Sequence, residues 1–177
     1  MKKVLLTAFA VMASLSLYGQ GSVTFGNDGT ALVKLDKADG SAIVNATAAT
    51  YCVGLWWAPA GGDTFTYIEG SKTALGPVAG RFNGGTKTIG EIAGGATVQL
   101  QVRGWETSAA SFDASTAKGI SSTFTYVTGN PNVTPAVIPA TMMVQGFSGL
   151  TIAVPEPSTI ALGFLGLAGL FLLRRHS

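Results

Sequence analysis

The sequence predicts a mainly β protein: a single antiparallel β-sandwich of about eight short strands over residues 20–153, flanked by an N-terminal signal helix and a C-terminal transmembrane helix. Three observations predict it. Thr97-Val98-Gln99-Leu100-Gln101-Val102-Arg103 alternates strictly, which puts Val98, Leu100 and Val102 on one face and the polar residues on the other. Clusters of Gly, Asn and Asp, such as Asn27-Asp28-Gly29, Gly61-Gly62-Asp63 and Asn83-Gly84-Gly85, interrupt the apolar segments at short intervals. The long uncharged apolar runs are confined to the two ends, Val4 to Leu17 and Ile160 to Leu173.

At the N-terminus, Lys2-Lys3, the apolar run and a small-residue zone around Gly19 form the three regions of a secretory signal peptide, residues 1–19. A cut after Gly19 would leave Gln20 first, although Leu17 is a poor match for the small residue expected three places before the cut. A permanent N-terminal anchor is the competing reading. Strands are then expected at Ser22 to Phe25, Ala31 to Leu35, Tyr51 to Trp57, Thr64 to Tyr67, Thr86 to Ile92, Thr97 to Arg103, Ser122 to Val127 and Val144 to Ala153. In Thr64-Phe65-Thr66-Tyr67 and Ser122-Thr123-Phe124-Thr125-Tyr126-Val127 the aromatic residues form the inward set. A weak helix is expected over Ser108 to Lys118, supported by alanines and opposed by Ser and Thr, which compete for backbone hydrogen bonds. Asn130 to Pro139, with three prolines, reads as an extended loop.

The C-terminal segment has three parts: Val154-Pro155-Glu156-Pro157-Ser158, the apolar run, and the basic residues Arg174 and Arg175. Ser158 to Leu173 as a helix would span about 24 Å, short of a hydrocarbon core of about 30 Å but usable if the arginines snorkel to the surface. The two prolines hold the preceding residues extended, so a processing enzyme would meet a non-helical segment just outside the bilayer. This resembles the PEP-CTERM sorting signal of Gram-negative bacteria that export polysaccharide, over residues 154–177. The resemblance implies that Pro-Glu-Pro is recognised and processed by a membrane enzyme, the exosortase, while the helix and basic tail hold the protein transiently in the inner membrane. It then implies delivery to the cell surface or extracellular matrix. A plain C-terminal anchor after a Pro-rich linker is the alternative. More loosely, Gln20-Gly21-Ser22-Val23-Thr24-Phe25, Ala96 to Glu106 and Gly146-Phe147-Ser148 resemble short Gly-rich PEP-CTERM proteins, which implies a common exported β-domain and brings no catalytic residues.

Between the two signals the charge balance changes. The whole chain has 11 basic and 9 acidic residues. Lys2, Lys3, Arg174, Arg175 and Glu156 belong to the ends, leaving seven basic against eight acidic residues between Gln20 and Val154. No electrostatic footprint for nucleic acid remains. Cys52 is the one cysteine, so no intramolecular disulfide can form, and it reads as a small apolar residue, with intermolecular pairing as the minor alternative.

The one histidine, His176, lies beyond the apolar run. The exported domain therefore has no imidazole for a catalytic triad or a His-based metal site. Glu106 with Asp113, or Glu91 with Glu106, are conceivable carboxylate pairs, but solvated surface charge explains them better. Asn27-Asp28-Gly29 and Asp36-Lys37-Ala38-Asp39-Gly40 carry oxygen ligands without the ligand count of a calcium loop, and Asx-type turns explain both. Asn45-Ala46-Thr47 and Asn132-Val133-Thr134 match the N-glycosylation pattern by chance. No metal, no cofactor and no enzymatic activity are expected.

The functional hint inside the domain is aromatic. Adjacent side chains in a strand point to opposite faces, so if Tyr51, Val53, Leu55 and Trp57 face inward, Trp56 faces outward beside the bare Gly54, where an indole can stack on a sugar ring. Trp56 and Trp105 are the candidate sugar-stacking residues, with cover by a loop or a neighbouring sheet as the plainer reading of Trp56 and a core plug as that of Trp105. The reading is an exported, non-enzymatic structural protein of the surface or matrix, with an exopolysaccharide-binding module as its competitor.

Overall fold

A computed structural model describes residues 20–37, 43–47, 50–131, 135–140, 142 and 145–155. It is mainly β. The strands are β1 (Gln20–Gly26), β2 (Val33–Lys37), β3 (Val44–Asn45), β4 (Tyr51–Pro59), β5 (Thr66–Tyr67), β6 (Thr73–Ala74), β7 (Asn83–Ala93), β8 (Thr97–Glu106), β9 (Lys118–Ile120), β10 (Phe124–Val127) and β11 (Leu150–Val154). All eight expected strands are present with shifted ends; the two-residue β3 and β6 and the three-residue β9 carry too little pattern to be read from sequence.

β1 and β7 pair as a two-stranded sheet, and the rest form a larger sheet ordered β3-β2-β11-β9-β8-β4-β5, with β10 also on β8 and β6 also on β4. The alternating strand β8 sits at its centre, and Val98, Leu100 and Val102 are fully buried. They join Val23 and Phe25 of β1, Val33 of β2, Val53 and Leu55 of β4, Tyr126 of β10 and Ile152 of β11 in one core. Burial of these branched and aromatic side chains is the main stabilising contribution.

The pairing corrects the expectation of a purely antiparallel arrangement: β11 lies parallel to β2, from Leu150 opposite Val33 to Val154 opposite Lys37. A parallel neighbour needs a long return path, and here the whole of β3 to β10 lies between the two strands. On its other side β11 meets β9 antiparallel, Ala153 opposite Lys118. There the two backbones approach so closely that a side chain at Gly119 would run into the carbonyl of Thr151.

Two further expectations change. Residues 107–117 form turns and bends, not a helix. The Ser111 hydroxyl accepts from the Ala114 amide (3.3 Å), and the Ser115 hydroxyl accepts from the Glu106 amide (3.3 Å) while donating to the Ala117 carbonyl (2.8 Å). Local side-chain bonds thus replace the helical ladder. The final strand begins only at Leu150, after a turn in which Gly146 and Gly149 have φ of 106° and 98°.

Polar side chains tie the connecting segments together. The Asn27 side-chain amide donates to the carbonyls of Ala31 (2.6 Å) and Gly80 (2.9 Å), and its Oδ1 accepts from the Phe82 amide (2.7 Å). Asp28 accepts from the amide (2.8 Å) and hydroxyl (2.6 Å) of Thr30, an Asx turn, and these bonds hold its carboxyl below the ordinary value. Asp36 and Lys37 end β2, while 38–40 of the second turn segment and the sequon from Asn132 lie outside the described residues.

The fully buried Tyr126 accepts from the Thr24 amide (3.1 Å) and donates to the Ala140 carbonyl (2.6 Å), joining β10 to β1 and to residue 140. Burial raises its pKa, and that of Tyr51 is raised by burial and by Glu106. A phenol whose folded pKa is raised contributes stability that is complete below the unfolded value of about 10 and is lost as pH rises through the folded one. Tyr126→Phe is expected to cost about 0.5–1.5 kcal/mol at neutral pH, because two partly buried backbone groups lose their partner. The variant should also lose less stability than the native chain as pH is raised above about 10, which denaturant titrations at neutral and alkaline pH would measure.

Candidate functional site

β4 is buried on both faces, and its second face builds the site. Tyr51, Val53, Leu55 and Trp57 enter the main core as expected, while Cys52, Gly54 and Trp56 point the other way. There Cys52, Trp105 and Phe112 form a separate small core, with Trp56 and Ala109 packed against it. β5 adds Tyr67 opposite Trp56, β8 adds Trp105 opposite Cys52, and the turns after β8 set Phe112 down on both indoles. Ring centroids are 4.8 Å apart for Trp56 and Tyr67, 6.0 Å for Trp56 and Trp105, 5.8 Å for Trp56 and Phe112, and 6.2 Å for Trp105 and Phe112. The tilted and edge-to-face angles are those that aromatic quadrupoles favour.

Gly54 makes this packing possible. A Cβ there would lie 2.9 Å from the Trp56 ring and 3.0 Å from the Trp105 ring, so the bare backbone lets both indoles lie across the strand. The space beside Gly54, expected to be open to a sugar, is filled by the protein's own rings.

Trp105 is only 3% exposed, and its indole Nε1 is buried without a hydrogen-bond partner. It serves as a core plug, so a sugar cannot stack on it without the cluster opening. Trp56 is half-buried. The Arg103 guanidinium lies over its ring at 4.7 Å and over that of Phe112 at 5.3 Å, the Lys72 ammonium over Trp105 at 5.6 Å, and the Lys118 ammonium over Phe112 at 5.3 Å. Burial lowers the pKa of Arg103 and the charge of Asp113 opposes the shift; the guanidinium remains charged. Cys52 is 1% exposed and its thiol pKa is raised by burial, so it fills a small apolar position and offers no sulfur for pairing.

A cleft of about 280 Å³ opens over the cluster, lined by Trp56, Tyr67, Lys72, Trp105, Phe112 and Asp113 together with Ala110 and Ser111. Sequence reasoning missed Tyr67, which it placed on the inward face, and also Lys72 and Phe112. The signal for Phe112 was a lone large apolar residue in a Ser- and Ala-rich segment. A depression of about 350 Å³ near Asn27, Pro77 and Phe82 is larger, but the Asn27 amide beside it is occupied in bonding three backbone groups, at Ala31, Gly80 and Phe82. Of the carboxylates considered as pairs, Asp113 lines the cleft, Glu106 ends β8 and Glu91 lies on β7 of the other sheet.

The second candidate region begins where the domain ends. Val154, placed in the sorting segment by sequence, is also the last residue of β11, paired with Lys37 and half-buried, and Pro155 after it is exposed. Glu156, Pro157, Ser158, Arg174, Arg175, the run Ile160 to Leu173 and the N-terminal segment 1–19 lie outside the described residues. Among the described residues no helix is long and apolar enough to cross a membrane. Residues 153–175 match the PEP-CTERM protein-sorting motif.

The chain carries a PEP-CTERM sorting motif.

The match begins at Ala153, inside β11, which pairs with β2 on one side and β9 on the other. A PEP-CTERM signal implies export, transient membrane anchoring and recognition by the exosortase, a membrane processing enzyme. No curated protein and no solved structure matches the chain.

Proposed function

We propose that this PEP-CTERM protein is a non-enzymatic β-domain which, once processed by the exosortase, resides at the cell surface or in the extracellular matrix as a structural component. The observation that carries the reading is the sorting motif at residues 153–175, joined without a linker to the last strand of the folded domain. The absence of histidine between Gln20 and Val154 supports a non-catalytic role. One buried core shared by strands of both sheets suits a domain that must remain folded after release. Mass spectrometry of the protein from the cells that make it tests this: the released form is expected to start near Gln20 and to lack peptides from Ile160 to Ser177. A released form that retains those peptides would overturn it.

The cleft favours a second reading, a carbohydrate-binding module for exopolysaccharide. Its aromatic walls and polar rim, from Trp56, Tyr67, Ser111 and Asp113, are the combination on which a pyranose ring can lie while its hydroxyls are bonded at the edge. Trp56→Ala cannot separate this reading from the structural one, since the half-buried indole supports Tyr67, Trp105 and Phe112 as well as walling the cleft.

A further inference from the structure

We infer that the cleft over Trp56 and Tyr67 takes a single acidic sugar residue, a uronate unit of a polysaccharide, with Lys72 meeting its carboxylate. This rests on the carbohydrate-binding reading and adds the charge of the ligand to it.

The charges, the hydrogen-bonding groups and the size of the cleft lead there. Each indole carries a cation over its ring, Arg103 over Trp56 and Lys72 over Trp105, so a ligand in the cleft meets positive charge beside the aromatic walls. The cations at the site are not equally balanced. Arg103 feels the charge of Asp113, and the Lys118 ammonium donates to the Asp113 carbonyl at 3.3 Å, whereas the Lys72 ammonium lies over the neutral Trp105 ring and near the Cys52 thiol. Lys72 is exposed and lines the cleft, so it can donate to a ligand carboxylate without leaving the indole.

The remaining polar groups suit a polyhydroxyl compound. Tyr67 Oη accepts from the Lys72 amide (3.1 Å) and Ser111 Oγ from the Ala114 amide (3.3 Å), which leaves both hydroxyl hydrogens to donate. The Asp113 carboxylate supplies an acceptor. At about 280 Å³ the cleft is just below the usual range of ligand-site volumes, which begins at about 300 Å³, so it holds one ring and not a run of several. Three of the domain's seven cations, Lys72, Arg103 and Lys118, gather on this cluster in a domain whose acids outnumber its bases, so the attraction for an anion is local.

The test uses the full chain in detergent micelles and measures binding to polygalacturonate and to neutral dextran. Polygalacturonate is expected to bind at least about tenfold more tightly than dextran, the factor that one charge-assisted bond supplies. Lys72→Met, which keeps the apolar stem over Trp105, should remove that preference without shifting the melting temperature. Lys72→Arg should keep it, and Lys34→Met on β2 should leave binding unchanged. Undiminished polygalacturonate binding by Lys72→Met, or an equal loss in Lys34→Met, would overturn the inference. Equal retention of both polymers by the native chain would sink the acidic preference alone and leave the carbohydrate reading standing, while retention of neither would sink both.

Discussion

Trp105→Ala is expected to cost about 3–5 kcal/mol, the range for deleting a buried tryptophan, and no other single substitution on the outer face of the large sheet should cost as much. Three neighbours would lose their packing at once: Trp56 and Phe112 each meet the Trp105 ring edge-on, and Cys52 lies opposite it in β4. A domain of this size has only about 5–15 kcal/mol of net stability, so the loss should lower the melting temperature by roughly 10–20 °C. Trp105→Phe should cost far less. It keeps an aromatic ring in the small core and removes an indole N–H that is buried without a partner. Guanidinium titrations of both variants check the pair. Equal losses would mean that Nε1 is satisfied in solution; a negligible loss for Trp105→Ala would mean that the second core does not contribute.

The second large effect is on delivery. Glu156→Ala is expected to block exosortase processing, so that the protein accumulates in the inner membrane with its tail attached, while the domain's stability changes by no more than about 0.5 kcal/mol. The two parts separate at Val154, which ends β11, and Pro155 after it is already exposed. β11 pairs with β2 and β9 through residues up to Val154, so a change at Glu156 should leave that pairing unchanged. Membrane fractionation with tail-specific detection, next to thermal denaturation of the solubilised protein, reads both halves. Normal release of the variant would remove the role assigned to the motif.

Much of this architecture is local and therefore readable along the chain. Alternation with period two is a property of consecutive residues, and so Val98, Leu100 and Val102 are all buried as the pattern requires. Opposed directions for Trp56 and Trp57 follow from the same geometry. The sorting motif is a contiguous string recognised by an enzyme and a membrane, and it depends on no fold.

By itself, then, the sequence determined that the chain carries an export and sorting signal, its β class, the main strands and the inward set of β4. Tertiary structure decided what lies on the other side of that strand. Trp56 is covered because Tyr67, Arg103, Trp105 and Phe112 reach it from β5, β8 and the turns after β8, and no periodicity within one segment encodes contacts made between segments. The parallel pairing of β11 with β2 was hidden for the same reason: a strand's own pattern marks which face is buried and carries no record of which neighbour it meets or in which direction. Residues 107–117 failed to form a helix because Ser111 and Ser115 bond the nearby backbone and Phe112 is buried against the indoles, a choice between a weak local propensity and packing that only the assembled sheet can settle.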